Sequence, residues 1–155
     1  MLTTCLWFDT NGEEAAQFYV SVFPGSKITG TTRYGPAGPG LEGQVMTVSF
    51  ELAGQPFVAL NGGPQFTFSE AISFQVACES QDEVDGYWEM LSAGGEQGPC
   101  GWLKDRFGLS WQIVPTALPR LLGSPDVATA QRVMEAMLQM GKLDIAALER
   151  AASQT

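Results

Sequence analysis

Residues 11–25 read NGEEAAQFYVSVFPG, and residues 80–94 read SQDEVDGYWEMLSAG. The two stretches follow one physical plan, 69 positions apart. Asn11 and Ser80 are placed as helix caps, with Glu14 and Glu83 three residues on to answer them. Ala15, Phe18, Tyr19 and Val22 match Val84, Tyr87, Trp88 and Leu91 as one apolar helical face. Gly25 and Gly94 are helix stops. A repeat on this scale fixes the architecture before any other feature does.

Strand patterns surround each copy. Residues 3–9 are rich in strand formers, 27–34 read as a second strand, and 44–52 alternate with Met46, Val48, Phe50 and Leu52 on one side. A turn at Ala53-Gly54 leads to a strand over 56–61. Between the second and third strands, GPAGPGLEG at 35–43 holds no regular pattern and reads as a mobile loop. The second copy repeats the order: a strand over 72–78, the helix, a short strand near 96–100, then a hairpin of 102–104 and 109–114. This final hairpin aligns with that of the first copy at an offset of 54, Gly54 on Gly108 and Phe57 on Trp111. The expected fold is α+β, two βαβββ modules over residues 1–63 and 71–115 in one compact domain. A helical extension over 116–155 follows, with helices capped by Asp126 and Asp144, to be docked on its own chain or on a partner subunit.

Composition narrows the function. Seventeen acidic against eight basic residues give a net charge of −9, which disfavours nucleic acid and anionic membrane surfaces. No apolar run approaches the roughly 20 residues of a membrane span, and the N-terminus lacks the pattern of a signal peptide. Cys5, Cys78 and Cys100 cannot all pair, so reduced thiols and a cytoplasmic location are expected. The chain has no histidine, which removes the commonest metal ligand and general base and excludes Ser–His and Cys–His catalysis within it.

Two βαβββ units in tandem resemble the vicinal oxygen chelate superfamily, which includes glyoxalase I, extradiol dioxygenases and bleomycin-resistance proteins. LWFDTNGEEAAQFYVSVFPGSKI (6–28), NGGPQFTFSEAISFQV (61–76) and CGWLKDRFGLSWQIVP (100–115) are similar to its PhnB-like subgroup, and the tail QRVMEAMLQMGKLDIAALERA (131–151) is similar to that subgroup's ending. The resemblance implies an open, cup-shaped sheet, subunits that pair, and often a divalent metal held by His and Glu on the concave face. The family's last ligand position falls on Gln112, its counterpart on Val58, and the first-strand positions near Thr4 and Ser73. Those side chains are poor ligands or none, so no metal and no cofactor is expected. Proteins of the subgroup often carry the label demethylubiquinone methyltransferase. A glycine-rich turn between a buried strand and a helix is missing here, and methyl transfer is disfavoured.

Strand alternation sorts the candidates. Phe57 with Trp111, and Trp7 with Val76, are expected under the helices. Thr4, Leu6, Phe8, Ser73, Gln75, Ser110, Gln112 and Val114 are expected on the opposite face. A small-molecule pocket between the modules, lined by Phe8, Gln75, Trp102 and Gln112, follows from that sorting. Glu51 is the candidate general base if the chain is instead a metal-independent isomerase- or lyase-like enzyme. Lys104 and Asp105 read as turn residues, Asn61-Gly62-Gly63 as a linker turn, and Cys100, with Lys104 nearby, as a thiol rather than a nucleophile. Exposed strand edges and the Met-rich tail point to a homodimer.

Overall fold

The computed structural model describes residues 1–154. Its contacts divide the chain into two units, Met1–Phe68 and a second beginning at Ser69. Each unit is a βαβββ module with an open four-stranded sheet.

The first unit runs β1 (Thr4–Phe8), α1 (Gly12–Val22), β2 (Lys27–Arg33), β3 (Val45–Leu52) and β4 (Gln55–Asn61). Sheet order is β1-β4-β3-β2, with β1 parallel to β4 and the other pairs antiparallel. Ala15, Ala16, Tyr19 and Val22 of α1 are buried, and Tyr19 stacks on Phe50, which stacks on Phe57 with centroids 5.3 Å apart. Burial of side chains this large is worth roughly 1.5–3 kcal/mol each and fastens the helix to the sheet.

The cap of α1 differs from the expected one. Asn11 makes no side-chain cap bond. The Gly12 amide instead donates to Asn61 Oδ1 at 2.8 Å, so the end of β4 caps the helix. A Cβ on Gly12 would lie 2.7 Å from that oxygen, so the helix start can approach the sheet only as glycine.

The second unit runs β5 (Ser73–Cys78), α2 (Gln81–Ser92), β6 (Glu96–Gln97), β7 (Trp102–Lys104) and β8 (Ser110–Pro115), in sheet order β5-β8-β7-β6. Here the cap is as the sequence implies: Ser80 Oγ accepts from the Glu83 amide at 3.2 Å, and Glu83 Oε2 accepts from the Glu79 amide at 2.9 Å. Asp105 is buried and fastens the β7–β8 turn. Its carboxylate accepts from the amides of Phe107 (2.8 Å) and Leu109 (3.1 Å) and from Trp111 Nε1 (2.9 Å).

The tail forms α3 (Ala117–Leu122), α4 (Val127–Leu138) and α5 (Ile145–Ser153), the last two capped by Asp126 and Asp144. It packs on its own unit. Leu118, Val133, Leu143 and Leu148 form a buried cluster joined by Val114, Met137 and Met140. Gln81 holds the segment leading into α5 through both atoms of its amide, Nε2 donating to Leu143 O (3.0 Å) and Oε1 accepting from the Ile145 amide (2.8 Å). No helix among the described residues is long and apolar enough to cross a membrane.

The glycine-rich loop is irregular but tied down. Tyr34 exchanges backbone bonds with Gln44 and Gly43, at 2.9 and 2.8 Å, and its hydroxyl donates to Asn61 O. Gly38 and Gly40 lie so close to the Tyr34 ring that neither leaves space for a Cβ.

Candidate functional site

Strand register decides which side chains share a face. In the second unit Gln112 is the partner of Gln75 on β5 and of Trp102 on β7. These three side chains form one row across three adjacent strands, opposite the row that contains Phe74, Trp111 and Leu103. Trp111, Leu103 and Ile113 are buried, and Cys78 on that side lies within electrostatic reach of Glu83 and Tyr87 of α2. The Gln112 row therefore lies on the face away from α2, as alternation implies. Gln112 Nε2 donates to Ser73 Oγ at 2.8 Å, and Gln75 Nε2 approaches Gln112 Oε1 at 3.4 Å.

The next row on the same face joins Glu96, Lys104, Ser110 and Ser73. Lys104 thus belongs to the strand face, a correction to its reading as a turn residue. Its ammonium pairs with Glu70. The bond and charge of Glu70 hold the lysine pKa above its ordinary value, with Glu96 adding to the effect. Reciprocally, the Lys104 contact holds the Glu70 carboxyl below its usual value. With its ammonium engaged, Lys104 is not a free partner for the Cys100 thiol. A pocket of about 220 Å³ opens here, with Trp102, Lys104, Ser110, Glu70, Glu96 and Gln97 among its walls. At the other end of the face Val114 packs into the tail cluster. Gly101 is occupied as well: a Cβ there would meet Ile113 O and the Leu143 side chain, so its bare backbone admits the tail rather than a ligand.

The first unit corrects the sorting. Thr4, Leu6 and Phe8 of β1 are register partners of Phe57, Ala59 and Asn61. Phe8 is 4% exposed, edge-on to Phe68 at 5.3 Å, and a Cβ on Gly12 would touch its ring. Phe8 therefore lies on the α1 face and not on the face assigned to it. Trp7, expected in the core, shares the opposite face with Leu60, donates Nε1 to Gly63 O at 2.9 Å and meets Phe66 edge-on. The cause is a single residue. Thr4 pairs with Phe57 as Phe74 pairs with Trp111, so strand counterparts lie 70 positions apart while helix counterparts lie 69 apart. A slip of one residue exchanges the two faces of a strand.

The same register tests whether the family's metal fits. Val58 faces Cys5 on β1, and Gln112 has Gln75 and Ser73 beside it. A thiol, an isopropyl group, amides and a hydroxyl do not make a divalent-cation site of the His/carboxylate kind. Among the described residues no three His, Cys, Asp or Glu side chains cluster as a metal site. Glu51 lies by the β3–β4 turn, 3.9 Å from Lys27 Nζ and partly exposed. Its carboxylate thus stands beside an ammonium at the strand end.

A larger cleft, of about 590 Å³, lies at the ends of β1 and β4, with Asp9, Glu13, Tyr34, Gln44, Asn61 and Gln65 among its walls. No periodicity marks it, because it depends on the loop closing over Tyr34. The Gly62 and Gly63 amides beside it are bonded to Phe8 O and Asp9 O, which makes the turn an extension of strand pairing and not an anion cradle.

The family model described as 3-demethylubiquinone-9 3-methyltransferase matches residues 1–114. Among solved structures, the PhnB protein of Bacillus cereus, which carries the same methyltransferase designation, is 36% identical, with 74% of this chain and 98% of that one covered and a TM-score of 0.66. Protein PA1353 of Pseudomonas aeruginosa is 18% identical over 74% of this chain and 96% of that one, at a TM-score of 0.62. The fosfomycin resistance protein FosX of Listeria monocytogenes shares the fold at 15% identity, with 74% and 91% covered and a TM-score of 0.51. No curated protein matches the chain. By its family match over most of its length, the chain belongs to the PhnB-like 3-demethylubiquinone-9 3-methyltransferase family.

Proposed function

We propose that the chain binds a small organic molecule on the open face of its second sheet, without a metal. The observation that carries this reading is the row of Gln75, Gln112 and Trp102 beside a pocket. Two amides offer both donors and acceptors without fixed charge, and an indole supplies rigid contact area. Such a surface orients a weakly polar ligand.

The family's methyltransferase designation has no counterpart in these residues. The glycine-rich segment lies between β2 and β3 and packs around Tyr34 rather than opening a helix. A metal-independent enzyme centred on Glu51 gains no support from an exposed ion pair at a strand end. In this reading the protein works as a homodimer, because β1 and β5 each leave one edge unpaired within their own sheet. Sedimentation equilibrium at micromolar concentration checks this, and a 16.6 kDa species would contradict it.

The test of binding is a nuclear magnetic resonance titration of the ¹⁵N-labelled chain with a mixed fragment set, read at the Gln75 and Gln112 side-chain amides and the Trp102 indole. Saturable shifts confined to these groups support the reading. Shifts elsewhere with these three unmoved would refute it.

A further inference from the structure

Ser110 Oγ is a buried polar atom without a hydrogen-bond partner, and Ser110 is 0% exposed. A buried hydroxyl left unpaired is costly, and such atoms are rare in folded proteins. This one does not lie in the apolar layer under α2. It is on the open face, flanked in register by Lys104 and Ser73, and it belongs to the wall of the 220 Å³ pocket that Trp102 also lines. Ser73, its register neighbour, accepts from Gln112 and makes no bond to Ser110 Oγ.

We propose that this hydroxyl is the anchor of the pocket, and that the ligand is a neutral single-ring compound bearing one hydroxyl or carbonyl group. The inference rests on the binding reading above and adds the ligand's chemistry. Size sets the first limit. A cavity of about 150 Å³ holds benzene, so 220 Å³ admits one ring with a small substituent. Charge sets the second. The pocket's ionic groups are Glu70, Glu96 and Lys104, and the lysine is already paired with Glu70. An anion would have to displace Glu70 and face Glu96, and a cation would compete with an ammonium that is already in place. A neutral group meets neither penalty. It gives to or takes from Ser110 Oγ the bond now missing, while its ring lies against the Trp102 indole. Lys104 is the neighbour of Ser110 on the same face and is partly exposed; in this reading its flexible stem moves aside to admit the ligand while its ammonium stays with Glu70.

The experiment uses four probes of one size on the full-length chain: phenol and benzamide as neutral compounds, benzoate and benzylamine as charged ones. Binding is read from the Trp102 indole resonance, first in the wild type and then in Ser110→Ala. Phenol and benzamide are expected to saturate the shift, with the charged probes at least about tenfold weaker. Ser110→Ala should weaken phenol about fivefold, as loss of one hydrogen bond implies. It should leave the thermal midpoint unchanged or raised, because the variant removes an unpaired group. Equal or tighter binding of a charged probe, or unchanged phenol binding in Ser110→Ala, overturns the ligand class and leaves the binding reading standing. If none of the four moves the indole resonance at millimolar concentration, the inference and that reading fall together.

Discussion

Trp102 and Gln112 are register partners across β7 and β8, and their side chains leave the sheet on the same face. Directly opposed residues hold their Cβ atoms about 5 Å apart, so indole and amide stand side by side where the proposed ligand would lie. One residue earlier, Trp111 points to the other face and is 3% exposed. The two neighbours should therefore fail in different ways. Gln112→Ala is expected to weaken a bound ligand by roughly 1–3 kcal/mol through an unpaired partner group while costing little stability. Trp111→Ala is expected to cost about 3–5 kcal/mol of stability by opening a core cavity. Denaturant titration and ligand titration of both variants check the contrast. Equal stability losses would undo the assignment of faces.

Tyr34 supports the loop of residues 35–43. The ring is 7% exposed, Gly38 and Gly40 pack on it, and its hydroxyl reaches Asn61 O. Tyr34→Ala should release the loop and raise its cleavage rate in limited proteolysis followed by mass spectrometry. Tyr34→Phe, which keeps the ring, should lie between the two. Unchanged cleavage in Tyr34→Ala would mean that the loop holds itself.

The thiols differ by burial. Burial pushes the Cys78 thiol to about 11, with the charges of Glu83 and Glu79 adding to the effect. Partial burial also raises Cys5, which remains exposed. Iodoacetamide at mildly alkaline pH should label Cys5 long before Cys78, with Cys78 reacting only on unfolding. The sign of the pH effect follows from linkage. The folded state keeps the Cys78 proton that the unfolded state loses at its ordinary value of 9.0, so this contribution to stability is complete below about 9 and is lost as pH rises toward 11. Cys78→Ala should flatten the decline in that window. A steeper decline would contradict it.

What the sequence made legible was local. The two helices, their spacing, the Ser80, Asp126 and Asp144 caps and the final hairpin all follow from short-range chemistry and match the structure. The faces of the second sheet were legible too, because the Gly108 turn fixes the phase of β8 directly. The faces of β1 were not. Two residues separate Phe8 from Asn11, but one separates Cys78 from Ser80, and carrying the helix offset back through that turn exchanged Phe8 with Trp7. Asn61 capping α1, Gln81 gripping the tail and Lys104 pairing with Glu70 join residues far apart in the chain or in loops without periodicity. No spacing rule encodes such contacts. Ser110 could be placed on its strand, but the absence of a partner for its hydroxyl is visible only once the neighbours are in position.

Amides and a hydroxyl stand where the family resemblance calls for imidazole and carboxylate, which is the ground for proposing binding without a metal. Elemental analysis of the purified, unchelated chain decides the matter. Zinc, nickel, iron and manganese are all expected far below one equivalent, with ligand binding unchanged by prior dialysis against a chelator. About one equivalent of any of these metals per chain, lost together with ligand binding on chelation, would contradict that proposal.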